Sequence, residues 1–324
     1  MCARANRLLL AIDELEQTLA TAWNLETLAV YGDQLQAIGD PRGELVAIDL
    51  AIDDDTASPG VEERRRDCMQ AWAGELAALR TTRFKYGFVL DTIGIDVARV
   101  LDSKLADHML GVRIAENYER IAAQVDQLAR RPRRFLRQLA VRTETDAPWK
   151  VKRLLDSARV DAAIAATPNL VSFDAEGRAV CDSFPHPNLR TLRVTGFDAM
   201  TALREPGAAM SATKLDIWFG EKPALLPAAS LPELRDLDLS RNTSKPRNIN
   251  VFETIAHLGV LPQLTRLAVP ELDDEADVKS LQDALDRAVA LRELVVAGPR
   301  GDLVDSLRHP HATISAGAAS PRSR

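Results

Sequence analysis

The stretch Gly-Asp-Pro-Arg-Gly-Glu at residues 39–44 has the glycine-rich, charged composition of loops that bind phosphate. Such a loop follows a β-strand and usually carries a lysine and a serine or threonine after its glycines, because those groups bind the phosphate oxygens and a metal ion. Here the preceding residues have helical periodicity, and neither residue type follows in the expected position. The stretch therefore predicts a turn between two helices and no nucleotide site.

Other residues that could do chemistry also favour structural interpretations. His309 and His311 flank a proline with no third metal ligand nearby, and Asp53–Asp55 indicates a solvated loop. The acidic run that begins at Glu271 is typical of a helix start, where carboxylates oppose the positive end of the helix dipole. The sequence has no serine-hydrolase, zinc-protease, P-loop or dinucleotide-binding motif. We therefore expect a protein that is not an enzyme and holds no cofactor or metal.

Composition and charge limit the classes of partner. With 324 residues, 46% of them apolar, the chain can bury a large core, and its formal net charge of -6 does not favour nucleic acid. The apolar cluster Leu8–Ile12 is too short to span a bilayer and is followed by acidic residues. The three cysteines are widely spaced, which favours neither disulfides nor a thiolate metal site. These features predict a cytoplasmic protein that binds neither nucleic acid nor a membrane.

The first eighty residues carry apolar side chains at helical spacing. Steps of three and four residues predict four helices, whose apolar faces begin at Leu8, Leu28, Leu45 and Val61. Between the second and third, Gly39 suits a helix end that needs positive φ, Asp40 suits an N-cap, and Pro41 the first helical position. We expect Gly43 to allow close backbone packing. The carboxylates within reach of Arg42 are those of Asp33, Asp40 and Glu44.

The segment Val30–Ile52, VYGDQLQAIGDPRGELVAIDLAI, resembles the short repeat-companion domain of bacterial proteins. The usual pattern of that family is a Tyr-Ala-Asp-Trp-Leu run, a spacer, Gly-Asp-Pro-Arg-Gly-Glu and an apolar helix. Residues 39–44 match this core completely, whereas Gly32 replaces the usual alanine and Gln34 the usual tryptophan. The resemblance covers well under a tenth of the chain strongly. It implies a small helical cap that precedes repeats and has no catalytic residues.

A repeat follows this segment. Leu234–Asn242, LRDLDLSRN, matches the leucine-rich repeat pattern LxxLxLxxN at every specified position, and related stretches recur in the same phase at intervals of 19 to 34 residues. The repeat starts are residues 84, 109, 136, 170, 189, 212, 234, 264, 291 and 311. Each predicts a short strand, and the segments between them include helical patterns at 118–131, 149–166, 251–261 and 277–291.

We predict an α/β fold: a leucine-rich repeat solenoid, an irregular horseshoe with a parallel sheet on the concave face and helices and loops on the convex face, with an N-terminal α-helical cap. The predicted domains are a cap at 1–80, a solenoid at 81–316 and a disordered tail at 317–324. A general α/β domain with alternating strands and helices is the alternative interpretation. Several copies in one phase favour the repeat.

Strand residues between the specified apolar positions point to the opposite face, which the solenoid places on its concave side. The predicted partner-binding residues are Tyr86, Phe88, Arg113, Arg142, Arg193, Asp216, Trp218, Asp236, Asp238 and Arg266. The same alternation adds Gln138, Asp174, Glu176, Lys214 and Glu293 to this face. Asp236 and Asp238 could bind a cation or belong to a partner surface, and repeat proteins favour the second. Trp218 is the candidate anchor; alternatively, its side chain packs on Pro223.

These observations predict a non-catalytic protein–protein interaction scaffold or sensor that recognises a protein partner on the concave face; the resemblance of residues 30–52 to the repeat-companion domain implies a bacterial protein. The alternative is a ligand-binding or catalytic protein with a site in the loops, for which the sequence offers no set of residues.

Overall fold

The computed structural model describes residues 2–143, 153–196, 199–218, 226–242, 251–298 and 301–317. Its α-helices are α1 (Cys2–Thr21), α2 (Leu25–Ala37), α3 (Pro41–Asp53), α4 (Val61–Ala73), α5 (Val97–Leu101), α6 (Tyr118–Leu128), α7 (Ser157–Ala166), α8 (Val251–Ile255), α9 (Glu275–Leu285) and α10 (Asp302–Ser306). Its strands are β1 (Thr82–Lys85), β2 (Phe88–Thr92), β3 (Gly111–Glu116), β4 (Gln138–Thr143), β5 (Ser172–Glu176), β6 (Thr191–Thr195), β7 (Lys214–Trp218), β8 (Asp236–Asp238), β9 (Arg266–Val269), β10 (Glu293–Ala297) and β11 (Thr313–Gly317).

The chain divides into two compact units. The first consists of Met1–Leu139 and Asp161–Leu170, and the second of Ala140–Val160 and Val171–Arg324. This division does not fall at residue 80, where the sequence predicts the end of the helical cap. Of the predicted tail at 317–324, only Gly317 is described, and it ends β11.

Four helices open the first unit, as the apolar spacing predicts. The junction between α2 and α3 follows the predicted chemistry: Gly39 has a φ of +75°, and the Asp40 carboxylate accepts a hydrogen bond from the Arg42 N–H. Pro41 occupies the first turn of α3, where a missing N–H costs nothing. The longest described helix, α1, contains acidic side chains, and none of the helices in the described ranges is long and apolar enough to cross a membrane.

The prediction that the segment near Phe84 forms the first parallel strand of the repeat is wrong. β1 and β2 form an antiparallel hairpin, with Lys85 opposite Phe88. Between them, Tyr86 and Gly87 have φ values of +55° and +70°, the two positive angles of the tight turn that suits a twisted hairpin. Because this turn occupies the predicted Phe84–Gly87–Val89 register, the strand does not continue the repeat phase.

Nine strands form a parallel sheet in chain order from β3 to β11, so the prediction of an α/β fold with N-terminal helices is confirmed. Each of these nine begins two residues after a predicted repeat start. Their registers align one apolar residue per strand, which places Leu192, Leu215, Leu237, Leu267 and Leu294 side by side. All five are fully buried, so one side of the sheet carries the apolar core.

The predicted helices between strands are present in the described residues, some of them shortened. α6 lies within the predicted 118–131 segment, and α9 begins within two residues of the predicted start at 277. α7 begins at Ser157, and the predicted residues 149–152 lie outside the described part. α8 ends at Ile255, after which the chain continues through turns.

Candidate functional site

The side of the sheet opposite the leucines carries a charged surface in the second unit. Along β6 to β8 buried apolar residues alternate with polar ones, because successive side chains of a strand point to opposite faces. β9 and β10 carry a polar side chain on this face only at their first residues, Arg266 and Glu293. We call this surface the polar face. Its members are Arg142, Asp174, Glu176, Arg193, Lys214, Asp216, Trp218, Asp236, Asp238, Arg266 and Glu293.

One row of the polar face is a chain of alternating charges across β7 to β10. The register places Lys214 beside Asp236, Asp236 beside Arg266, and Arg266 beside Glu293. The Lys214 Nζ lies 3.5 Å from Asp236 Oδ2, and Arg266 Nη1 donates to Asp236 Oδ1 at 2.8 Å. Arg266 Nε also lies 3.3 Å from Glu293 Oε2. Although burial lowers the pKa of Arg266, the hydrogen bond to Asp236 and the nearby carboxylates raise it above its usual value.

A second row lies two residues further along the strands. Arg193 Nε donates to Asp216 Oδ2 at 3.0 Å, and its Nη1 is 3.8 Å from Asp174 Oδ2. Arg241, in the turn after β8, places Nη1 3.8 Å from the same oxygen of Asp216. Two cations therefore surround Asp216, which is only 8% exposed. Their positive charge offsets the cost of burying this carboxylate, which the sequence had predicted to face a partner.

Trp218 and Asp238 differ from the rest of the polar face. The Trp218 residue is 49% exposed at the end of β7. Asp238 Oδ1 accepts from the backbone N–H and the hydroxyl of Ser240 at 3.0 and 2.7 Å, so the carboxylate is held by its own turn. Trp218 is thus exposed as predicted, and the alternative contact with Pro223 lies outside the described residues.

The remaining predicted residues have diverse positions. Arg142 is exposed, and its Nε lies 3.4 Å from Glu176 Oε1, which extends the ion-paired surface to β4. Arg113 lies on β3 in the first unit, is partly buried, and makes an isolated parallel bridge to Ile93. Gln138 is exposed at the start of β4. The predicted polar side chains of β4 to β10 thus lie on one face of the sheet, and their role in binding a partner stays a prediction.

Tyr86 and Phe88 are not on an exposed sheet face, and their prediction as partner-binding residues is wrong. Phe88 is fully buried in the first unit, where its ring contacts Trp23 edge-on at 5.0 Å and Phe135 at 5.0 Å. Tyr86 is 8% exposed, and its hydroxyl donates to Asp53. The tight turn reverses the chain here, so the side chains follow the hairpin register and not the repeat.

Sequence reasoning missed a buried polar network in the first unit. Glu16 of α1 accepts a hydrogen bond from the Tyr31 hydroxyl at 2.8 Å and an ion-paired hydrogen bond from Arg134. The Tyr31 hydroxyl also accepts from Arg42 Nη1 at 2.9 Å, and His108 Nε2 lies 3.4 Å from Glu16 Oε1. One carboxylate thereby connects α1, α2, α3 and the segments around residues 108 and 134.

The environment of this network shifts several pKa values. Burial, with the nearby positive charge of Arg42, lowers the pKa of His108 to about 3, so the imidazole is neutral at pH 7. Burial raises the pKa of Tyr31 far above its usual range and keeps its phenol protonated. Burial raises the pKa of Asp40, but hydrogen bonds from the Arg42 side chain and backbone outweigh it and lower the value.

A cleft of about 420 Å³ reaches the network from solvent and is lined by Glu16, Arg42, Asp107, His108, Pro132 and Arg134. Its cations already have carboxylate partners: Arg42 donates to Asp40, Arg134 to Asp13 and Glu16. The sequence carried a signal only for the Arg42–Asp40 pair, because both residues belong to the segment 39–44; nothing in it pointed to the contacts of Glu16 with His108 and Arg134. Of the carboxylates considered for Arg42, the structure selects Asp40, and Glu44 pairs with Arg64.

The search of protein-family models finds no match to this chain, and the search of curated proteins finds none.

Proposed function

We propose that the chain is a non-catalytic scaffold or sensor of the cytoplasm that recognises a protein partner through the polar face. In this proposal the second unit is a leucine-rich repeat solenoid, the polar face is its concave side, and the N-terminal helices form a repeat-companion cap. The observation that carries it is the half-exposed indole of Trp218 on a surface where most of the charged side chains are ion-paired.

Two features support the repeat interpretation. The leucines at equivalent pattern positions pair strand to strand, as Leu215 does with Leu237 and Leu237 with Leu267. Asn242, the last position of LxxLxLxxN, is nearly buried and donates to the backbone carbonyls of Ile217 and Leu239 at 2.9 and 2.8 Å. Such an amide satisfies carbonyl groups where a strand ends and the chain turns away. These pairings and hydrogen bonds are the contacts that a leucine-rich repeat would need, and they support the proposal.

The ion pairs favour binding because they hold long side chains of the polar face in one conformation. Arg193 and Arg266 each contact carboxylates of two neighbouring strands, which restricts long side chains before any partner arrives. Side chains that are already ordered lose less conformational entropy on association. An exposed tryptophan surrounded by such ordered side chains can bury a large apolar area on binding at little cost in conformational entropy. The polar face is therefore suited to a protein partner with one dominant contact.

The test is calorimetric binding of a purified partner to matched variants. The partner is isolated by native affinity capture on the full chain, identified by mass spectrometry and produced separately. Trp218→Ala should weaken its binding by about 2 kcal/mol or more, which is about thirty-fold in Kd. Val289→Ala removes an exposed side chain, 68% accessible, outside the polar face and serves as the control.

Equal affinity of Trp218→Ala and wild type, with unchanged circular dichroism, would place the contact elsewhere and contradict the proposal. Weaker binding of the Val289→Ala control to the same degree would show that the effect is not specific to Trp218.

A further inference from the structure

On the polar face, Asp238 lies beside the exposed ring of Trp218 and has no cationic nitrogen within 4.0 Å among the described residues, although its charge raises the pKa of Arg266 from a longer distance. Among the described carboxylates of the face, Asp174, Glu176, Asp216, Asp236 and Glu293 each lie within 4.0 Å of an arginine or lysine nitrogen. Asp238 has no such neighbour among the described residues. Its Oδ1 is occupied by Ser240, and no described residue donates to its Oδ2. A negative charge therefore remains available on this part of the surface.

The strand register gives the separation of this carboxylate from Trp218. Asp238 is directly beside Asp216, and Trp218 follows Asp216 by two residues on the same face of β7. Neighbouring strands lie about 4.8 Å apart and rise about 3.3 Å per residue, which separates the two Cα atoms by about 8 Å. A group that lies flat on the indole could thus reach the carboxylate with its edge.

We propose that Trp218 and Asp238 together receive an arginine side chain of the protein partner. A guanidinium is planar, stacks on an indole face and donates N–H groups from its edge, whereas an ammonium is a point charge without a flat surface. The neighbouring carboxylates are neutralised by Arg193, Arg241, Lys214 and Arg266, so the charge that selects the ligand is that of Asp238. The inference rests on the proposed function and specifies the chemistry of its partner.

The experiment is a titration of the full ¹⁵N-labelled chain with three capped tripeptides that have arginine, lysine or citrulline between two glycines. Citrulline has the shape of arginine without its charge. The indole N–H resonance of Trp218 is assigned by its absence in Trp218→Phe. We expect the arginine peptide to shift this resonance along a saturable curve. At equal concentration, the citrulline peptide should produce a shift at least about five-fold smaller, and the lysine peptide an intermediate one.

The variant Asp238→Asn, which keeps the side-chain shape, should reduce the shift with the arginine peptide at least about five-fold. Asp302→Asn changes an exposed carboxylate of α10 outside the polar face and should leave it unchanged. An equal shift with citrulline, an undiminished shift in Asp238→Asn, or no shift with arginine would overturn the inference.

Binding of the isolated partner separates this inference from the proposed function. Loss of affinity in Trp218→Ala but not in Asp238→Asn would leave the polar face as the binding surface and refute the arginine contact. Unchanged affinity in both variants would refute the proposed function itself. Loss in both, together with the peptide shifts, supports the arginine contact.

Discussion

At the scale of the residue, the turn at Gly39 has a conformation that a β-branched side chain opposes. Its φ of +75° lies in the left-handed region, and a Cβ built there meets no atom within 4 Å. A substitution would therefore test backbone strain alone, without a steric clash. Gly39 follows Ile38, the C-cap of α2, and leads directly into Asp40, the N-cap of α3.

Gly39→Val should lower the free energy of unfolding by about 1 kcal/mol or more, because valine is disfavoured at positive φ. Urea denaturation followed by circular dichroism measures the change. Gly39→Asn is the matched control, since asparagine tolerates the left-handed region, and it should cost less. Equal stability of Gly39→Val and wild type would show that the backbone here is not held at positive φ.

His108 makes stability depend on pH with a defined sign. Its pKa in the folded chain is about 3 and its ordinary value is 6.5, so the unfolded chain binds the proton more readily. The contribution of this imidazole to stability is therefore complete above about pH 6.5 and decreases as the pH falls from there toward 3. Arg42 faces the ring, as do the carboxylates of Glu16, Asp40 and Asp107.

We expect the wild type to lose more stability than His108→Leu between about pH 7 and pH 5, a range in which carboxylates of ordinary pKa change little. Urea denaturation at several pH values in that interval gives the two slopes. His309→Leu, which removes a partly exposed histidine outside this network, should retain the wild-type slope. Parallel curves for wild type and His108→Leu would contradict the burial of a neutral imidazole.

At the scale of the element, α2 and α3 approach each other through glycine. A Cβ on Gly43 would lie 2.5 Å from the backbone N of Gln36 and 2.6 Å from the carbonyl O of Gly32. These are backbone atoms, which cannot move without shifting a helix. A Cβ on Gly32 would instead meet a methyl group of Val46 at 2.8 Å. The close packing expected of Gly43 is confirmed, and it explains why a motif glycine is needed inside a helix.

Gly43→Ala should destabilise the chain by about 1–3 kcal/mol, although alanine is otherwise the better helix former. Gly32→Ala is the comparison, and it should cost less because the nearest atoms there belong to the Val46 side chain and not to a helix backbone. Thermal unfolding of both variants measures the difference. A Gly43→Ala protein as stable as wild type would show that the two helices do not cross this closely.

At the scale of the whole molecule, the parallel strands share one row of buried leucines. Leu237 is fully buried at the centre of this row, between Leu215 and Leu267. Each strand packs mainly on its neighbours in such an arrangement, so the loss of one position affects adjoining strands. In the described residues, the strand register extends this row from the buried Phe173 at one end to the partly buried Ile314 at the other.

Leu237→Asp should abolish the cooperative thermal transition of the strands around it, because it buries a carboxylate without a partner. Differential scanning calorimetry records the transition. Leu237→Met, which conserves volume, should cost less than about 1.5 kcal/mol and retain cooperativity. An unchanged melting temperature in Leu237→Asp would mean that this position is not in the core.

The sequence by itself determined the helices of the N-terminal region and, from β3 onward, the position and phase of the strands. Caps, glycine and proline at residues 39–41 act on backbone groups within a few positions, and the repeated apolar spacing specifies which side of each strand is buried. The nine parallel strands and the outward direction of Trp218 and Asp238 follow from these local rules. The repeat family and its partner remain predictions.

Only the tertiary structure decided which distant groups meet. Glu16 contacts His108 and Arg134, which are 92 and 118 positions away, and no periodicity relates residues so far apart. The ion pairs of Asp216 and Asp236 likewise depend on which strands become neighbours. Phe88 was assigned to the wrong face because the two positive φ angles at Tyr86 and Gly87 reverse the chain just before it. Its side chain then packs in the hydrophobic core of the first unit. Long-range packing free energy, and not local propensity, selects among such arrangements.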